Sequence, residues 1–276
     1  MNLVVQGPAL GSGDLEALAL LAKPADVRPI AKRAFRLVGA MKNEGVAPLC
    51  EARRIDHAWI PEGRRFAELK LLAMDMDSTL ITIECIDELG DLAGKKAEIA
   101  ALTEQAMRGE IEYRESLKRR VAALAGMDAD SLKTVYEERL KLTPGADALV
   151  AACKKHGVKL LLVSGGFTFF TERLKARLGI DHTISNVLEV KGGKLTGRLV
   201  GDIVDAEAKA AKFRQVMQTV NAGKEQTLAI GDGANDLKMM SEAGISVAFR
   251  AKPLVRAQAS CAINWSGLDA VVNLLE

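Results

Sequence analysis

Two aspartates one residue apart, Asp75 and Asp77, close the apolar run Leu71-Leu72-Ala73-Met74 and lead into Ser78 and Thr79. Such a run reads as a buried strand of a parallel sheet, and the ligands of such sheets bind beyond the carboxyl ends of the strands. Two like charges at that rim need a reason to coexist. A bound metal supplies one, and a division of nucleophilic and acid–base work between the carboxylates supplies another. An Asp-rich turn capping a strand is the plainer alternative, since Asp and Ser are common turn formers.

Three further stretches carry complementary chemistry. Ser164-Gly165-Gly166 follows the apolar run 160–163 and precedes a helical pattern. A small hydroxyl and backbone N–H groups before a helix suit an anion, although an ordinary strand-to-helix turn uses the same residues. Gly231-Asp232-Gly233-Ala234-Asn235-Asp236 follows the run 228–230 and offers hard oxygen ligands of the kind magnesium takes. Asp232, first off the strand, would reach a metal shared with Asp75. Asp236, on the first turn of the next helix, reads as a ligand, as an acceptor behind the ligands, or as a charge favoured near a helix N-terminus. Several carboxylates facing a dianionic substrate also need cationic compensation, for which Lys209 and Lys212 are candidates. Spacing does not choose between them, and composition alone favours the plainer reading, a solvated lysine paired with Asp205 at i, i+4.

The elements that position these groups change character along the chain. Residues 1–66 read as a small α+β unit: an apolar run at 3–5, a helix over 15–21 capped by Asp14, a second helix over roughly 28–42, and a polar linker over 51–66. Residues 84–142 read as almost wholly helical, with helices near 86–92, 95–108, 113–124 and 129–140 broken at Gly94, Gly109 and Gly126. From Pro144-Gly145 onward, helices and strands alternate: strands near 159–163, 182–185, 227–230, 246–249 and 261–264, and a hairpin of 187–190 with 195–200 turned at Gly192-Gly193. Alternating units of this kind predict an α/β fold, a doubly wound parallel sheet covered by helices on both faces, with the helical block inserted after its first strand.

Composition sets outer limits. A chain of 276 residues with 49% hydrophobic residues has ample core for an enzyme, and its net charge of +2 makes no case for nucleic acid or an acidic membrane surface. With 4% aromatic residues, stacking platforms for single strands are not expected. Cys50, Cys85, Cys153 and Cys261 are scattered and read as buried free thiols of a reducing compartment. With no leader pattern and no apolar run near the roughly 20 residues of a membrane span, the expected location is cytoplasmic. The three histidines, His57, His156 and His182, lie outside all the stretches above and read as structural or surface residues.

Taken in order, Asp75-Met76-Asp77-Ser78-Thr79, Ser164, Lys209 and Gly231-Asp232-Gly233-Ala234-Asn235-Asp236 resemble the four motifs of the haloacid dehalogenase-type (HAD) phosphatases. Glu84-Cys85-Ile86-Asp87-Glu88, Ala106-Met107-Arg108-Gly109-Glu110 and Ser164-Gly165-Gly166-Phe167 narrow the resemblance to the bacterial phosphoserine phosphatases. It runs from about residue 71 to the C-terminus, and the first 66 residues are only loosely similar to an ACT-like leader. It implies a HAD-like core of residues 67–84 and 143–276 with a helical cap over 85–142, and hydrolysis of O-phospho-L-serine to L-serine and phosphate, the last step of serine synthesis.

By the same resemblance Asp75 is the nucleophile that becomes an aspartyl phosphate, and Asp77 is the general acid and base. Mg2+ is held by the side chains of Asp75 and Asp232 and by the backbone carbonyl of Asp77, with Asp236 supporting them. Ser164, the Gly165 backbone, Lys209 (now preferred over Lys212) and Asn235 grip the phosphoryl group. Glu84 and Arg120 receive the ammonium and carboxylate of the substrate, with Met107 and Tyr113 on the apolar side. A homodimer is compatible with this picture. Other readings are a phosphatase or phosphotransferase for another small phosphomonoester, for example one passing the group to homoserine, and a receiver-type signalling module. Against the latter stand Asp77 and the long helical insertion.

Overall fold

The structure is a computed structural model and describes residues 1–275; the side chain of Met107, expected to line the pocket, lies outside the described residues, as does Glu276. The N-terminal part comprises β1 (Asn2–Gln6), α1 (Ser12–Ala22), β2 (Asp26–Ala31), β3 (Ala34–Val38), α2 (Val46–Arg53) and β4 (Asp56–Ile60). Its strands form an antiparallel sheet in the order β2-β3-β1-β4.

Three expectations fail here. The helix expected over 28–42 is the β2–β3 hairpin, and Arg33 adopts φ 63° to make its turn. The apolar spacing that suggested a helix belongs to two strands facing each other. The linker expected over 51–66 contains the end of α2 and strand β4, where Asp56, Ala58 and Ile60 are buried in alternation. Asp14 does not precede its helix but lies inside the first turn, its carboxylate accepting from Gly11 N at 3.1 Å.

Both faces of this sheet are covered. Leu3, Val5 and Leu37 pack with Leu18 and Cys50 of α1 and α2, whereas Val4, Ala58 and Ile60 join the core of the larger part. Asp56, 2% exposed, reaches across and accepts from the backbone of Asn264 (2.6 Å), Trp265 (3.2 Å) and Ser266 (2.8 Å).

The larger part begins with β5 (Leu71–Asp75). There follow α3 (Cys85–Leu92), α4 (Lys96–Met107), α5 (Tyr113–Ala122) and α6 (Asp130–Thr134), the last prolonged by a wide helical turn over Val135–Arg139. Then come α7 (Ala146–His156), β6 (Lys159–Phe167), α8 (Thr168–Leu178), β7 (His182–Lys191), β8 (Lys194–Val200) and α9 (Ala206–Thr219). The chain ends through β9 (Thr227–Gly231), α10 (Leu237–Glu242), β10 (Ile245–Phe249), α11 (Pro253–Gln258), β11 (Cys261–Ile263) and α12 (Ala270–Asn273). The sheet order is β11-β10-β9-β5-β6-β7-β8, parallel except for β8.

The expected strands 182–185 and 187–190 are one strand, β7. Gly192 and Gly193 (φ 58° and 77°) make the turn into β8 that two left-handed residues favour. Strand β6 also runs on through Ser164, Gly165 and Gly166, so these residues are extended backbone and not a turn before the helix.

β5 sits at the centre, and its burial on both faces explains its unbroken apolar run. Leu71 and Ala73 pack with Leu161, Val163 and Phe213 on one side, Leu72 and Met74 with Leu160 and Leu162 on the other. The chain steps from β5 to β6 in one direction and reaches β9 in the other, so the crevice opens at the carboxyl end of β5. The helical insertion leaves and rejoins the core through paired backbone: Thr82 N donates to Lys141 O and Thr143 N to Leu80 O, each at 3.0 Å. Gly94, Gly109 and Gly126, all at positive φ, break its helices where expected. Among the described residues no helix is long and apolar enough to cross a membrane. The four cysteines are buried and free, as expected.

Candidate active site

The end of β5 sets the site. Asp75 is 5% exposed, and its Oδ1 accepts from Met76 N at 2.8 Å and from Lys209 Nζ at 2.9 Å. The chain then turns sharply, with Ser78 at φ 56°, and Ser78 Oγ donates to Glu84 Oε1 at 2.6 Å. Asp77 is held from two sides. Its Oδ1 accepts from Cys85 N, the first N–H of α3, at 2.9 Å, and its Oδ2 from Ser164 Oγ at 3.3 Å. A carboxylate at a helix N-terminus is stabilised by the N–H groups that have no partner within the helix.

Ser164 is fully buried, and its Oγ also accepts from Gly166 N at 2.8 Å. Gly166 admits no side chain: a Cβ there would lie 2.8 Å from Asp77 Oδ2. Asn186 of β7, 1% exposed, holds the strand end by donating to Gly165 O at 2.8 Å while accepting from Val204 N at 2.8 Å.

Lys209 and Asp236 are each 0% exposed, and Lys209 Nζ lies 2.8 Å from Asp236 Oδ1. The other oxygen of Asp236 accepts from Gly233 N at 3.2 Å, so both of its oxygens are engaged. Burial opposes the lysine charge, but Asp236 and Asp75 outweigh it and hold the ammonium well above its ordinary range. Lys212, the other candidate, bonds Gln215 on the exposed side of α9. Nor does Asp205 pair with Lys209 through its side chain; its partner is Arg114.

Asp75, Asp232 and Asp236 each place one oxygen within 4.8 Å of the others. Burial, the neighbouring Asp236 and Asp232 push the Asp75 carboxyl well up against the pull of Lys209, and burial with Asp236 lifts Asp232 to about 6. Such a cluster of hard oxygens, short of positive charge, has the donor chemistry of a small divalent cation site. Asp236 has the least to offer it, since both its oxygens are already bonded. Thr79 Oγ1 lies 3.5 Å from Asp232 Oδ1.

Opposite this floor stands the insertion. A cleft of about 830 Å³ is lined by Asp75, Asp77, Asp232 and Asn235 below and by Glu84, Tyr113 and Arg120 above, with Gly165 at its side. Ser164, Lys209 and Asp236 lie beneath it, bonded to its lining groups, so the expected site residues fall in one place, the undescribed Met107 side chain apart. Glu84 is pushed up to about 8 by burial and by Asp77, against the hydrogen bond from Ser78. Among the described residues, Arg120 Nε is the one buried side-chain nitrogen or oxygen with no hydrogen-bond partner. A second, shallower cavity of about 510 Å³, beside Lys70, Lys159 and His182 at the opposite ends of the strands, holds none of these groups.

The residues missed from sequence are the supports. Cys85 acts through its backbone, which no side-chain pattern reveals. Asn186 carried a weak signal, because Asn is depleted in strand interiors.

The model of the haloacid dehalogenase-like hydrolases matches residues 72–241. The chain belongs to that family. It is 56% identical over 217 residues to a phosphoserine phosphatase of Polaromonas sp. (strain JS666), covering 77% of this chain and 92% of that one. A probable phosphoserine phosphatase of Vibrio cholerae, solved without ligand, superposes with TM-score 0.87 at 37% identity over 99% of this chain and 86% of that one. A phosphoserine phosphatase solved with bound substrate gives TM-score 0.71 at 33% identity over 75% of this chain and 99% of that one.

Proposed function

We propose that this chain hydrolyses O-phospho-L-serine to L-serine and inorganic phosphate with the help of Mg2+, as the last step of L-serine synthesis in the cytoplasm. The observation that carries the reading is the unpartnered, buried Nε of Arg120, opposite a floor built for a phosphoryl group. Leaving such a donor unsatisfied costs about 1–3 kcal/mol or more, which a ligand carboxylate would recover. Glu84, which lines the same cleft, would take the substrate ammonium and release to solvent the proton that its raised pKa of about 8 favours.

Asp75 Oδ2, the oxygen without a hydrogen bond, would attack phosphorus as the bond to the seryl oxygen breaks, giving an aspartyl phosphate. Asp77 donates its proton to the departing alkoxide, a poor leaving group without that help. Burial raises the Asp77 carboxyl above its ordinary value, a shift that favours the protonated form this step needs. Asp77 then takes a proton from the water that hydrolyses the aspartyl phosphate, which frees Asp75 and releases phosphate. Ser164, the Gly165 backbone, Lys209 and Asn235 would hold the phosphoryl oxygens. Asp75, Asp232 and the Asp77 carbonyl would hold Mg2+, which supplies charge neutralisation at the phosphoryl oxygens, with Asp236 fixing Lys209 behind them. In this reading residues 1–66 form one unit, and 67–276 form the phosphatase, with core 67–84 and 143–276 and cap 85–142.

The test is phosphate release from a panel of phosphomonoesters with and without Mg2+. Turnover of O-phospho-L-serine should depend on the metal, and Asp75→Asn should lower kcat by at least about a thousandfold. Full activity in Asp75→Asn, or no preference for phosphoserine over simple esters, would overturn the reading.

A further inference from the structure

Helix α5 presents Tyr113, Leu117 and Arg120 to the cleft at i, i+4 and i+7. The two ends of this helix are held differently. Beyond its C-terminus, backbone bonds tie it to the β7–β8 hairpin: Gly126 N to Leu195 O, Leu195 N to Met127 O and Ala129 N to Gly193 O, each 2.8 Å. At its N-terminus the contacts are made by side chains. Arg114 crosses to the core, with Nε 2.7 Å and Nη2 2.6 Å from Asp205 Oδ2. Asp205 caps α9, its Oδ1 accepting from Ala208 N at 3.0 Å, one turn before Lys209. One carboxylate therefore joins the helix that carries Arg120 to the helix that carries Lys209. Independently, the neighbouring Tyr113 is closed down on the phosphate loop: a Cβ on Gly165 would lie 2.3 Å from Tyr113 Oη.

We infer that Arg114 and Asp205 are positioning residues that clamp α5 over α9 and set the distance between Arg120 and Lys209, and with it the length of ester the closed cleft accepts. The inference rests on the phosphoserine reading above for its substrate. The pair is partly exposed, 54% and 21% by side chain, so it adds little to global stability. Any balance between open and closed forms would be set by small energies, however, and a weak contact made in the closed form alone would shift it.

The test uses the full chain carrying Arg114→Gln, Arg114→Lys, Asp205→Asn, and the Gln and Asn changes together; Asn keeps the helix cap while losing the charge. Each neutral variant should raise KM for O-phospho-L-serine by about three- to tenfold with kcat within about twofold. The double variant should lose no more than either single one, because both remove one interaction. Arg114→Lys should recover part of the loss, and p-nitrophenyl phosphate, which has nothing for Arg120 to hold, should be turned over as before. Unchanged KM, losses that multiply, or equal losses on both esters would overturn the clamp. Amide exchange over residues 116–120, measured without substrate, should quicken in both neutral variants, and unchanged exchange would likewise overturn it. A wild-type chain without phosphoserine turnover breaks the functional reading alone, since exchange still decides the clamp.

Discussion

The two ends of the cleft are finished to different degrees. At the phosphate end nearly every polar group already has its partner. Lys209 holds Asp75 and Asp236, Ser164 holds Asp77, and Asn186 holds the Gly165 carbonyl. At the other end, proposed for the amino-acid part, Arg120 Nε has none among the described residues, and Glu84 has Ser78 alone among them on its carboxylate. In the proposed reading the first arrangement is preorganised: the dipoles and charges that would meet the transition state are in place before substrate arrives, so no reorganisation is charged to the chemical step. The second is completed by ligand, which is how a site distinguishes one small ester from another, since a wrong ligand leaves the donor unpaired. Catalysis and selectivity should therefore fail separately.

Lys209→Met strikes the finished end and should give the largest effect. It leaves Asp75 and Asp236 buried without their cation, and breaking a buried pair in this way costs roughly 3–5 kcal/mol. Denaturant unfolding should show that loss, and kcat should fall by at least about a hundredfold on every ester, aryl phosphates included. Adding Asp236→Asn should restore part of the stability and none of the turnover. Intact turnover in Lys209→Met would mean the buried network is only structural.

Arg120→Ala strikes the unfinished end. A hydrogen bond to a charged group contributes about 1.5–3 kcal/mol, so KM for phosphoserine should rise by about ten- to a hundredfold. Aryl phosphate turnover and the melting temperature should hardly move, because the substitution removes an unsatisfied donor and not a made bond. A variant that melts early and loses both substrates equally would show that Arg120 braces the helix instead of reading the substrate.

The same division explains what was legible in the sequence. The groups proposed to do chemistry lie in short motifs, all but Lys209 at strand ends, and the structure brings Asp75, Asp77, Ser164, Lys209 and Asp232 together. Order along the chain identified the sheet and the insertion, because strands buried on both faces leave continuous apolar runs. The supports were hidden. Cys85 contributes an N–H that every residue owns, and nothing in the sequence separates Arg114 from a charge on a solvated helix face. The β2–β3 hairpin was misread because apolar residues of two strands, taken as one stretch, imitate a helical period, and the turn at Arg33 uses a residue that does not advertise positive φ.

The smallest effect concerns the charge balance of the phosphate end. Burial beside Asp236 raises Asp232 to about 6 from an ordinary 3.8, and Asp75 and Asp77 move in the same direction. A carboxyl raised on folding favours the fold while protonated. Its contribution is therefore complete below about pH 4 and is lost as the pH climbs through about 6. Metal-free protein should melt at a lower temperature at pH 7 than other surface titrations would give, and Asp232→Asn should flatten the decline between pH 4 and 7. Mg2+ reverses the sign of the argument, because a cation binds the ionised carboxylates and must displace their protons. Its stabilising shift should be present at pH 7 and 8 and fade below about pH 6, as protons compete for Asp232. Scanning fluorimetry across pH, with and without Mg2+, reads both arms. A stabilisation by Mg2+ independent of pH would place the ion away from Asp232, and would leave the phosphate end balanced by Lys209 alone.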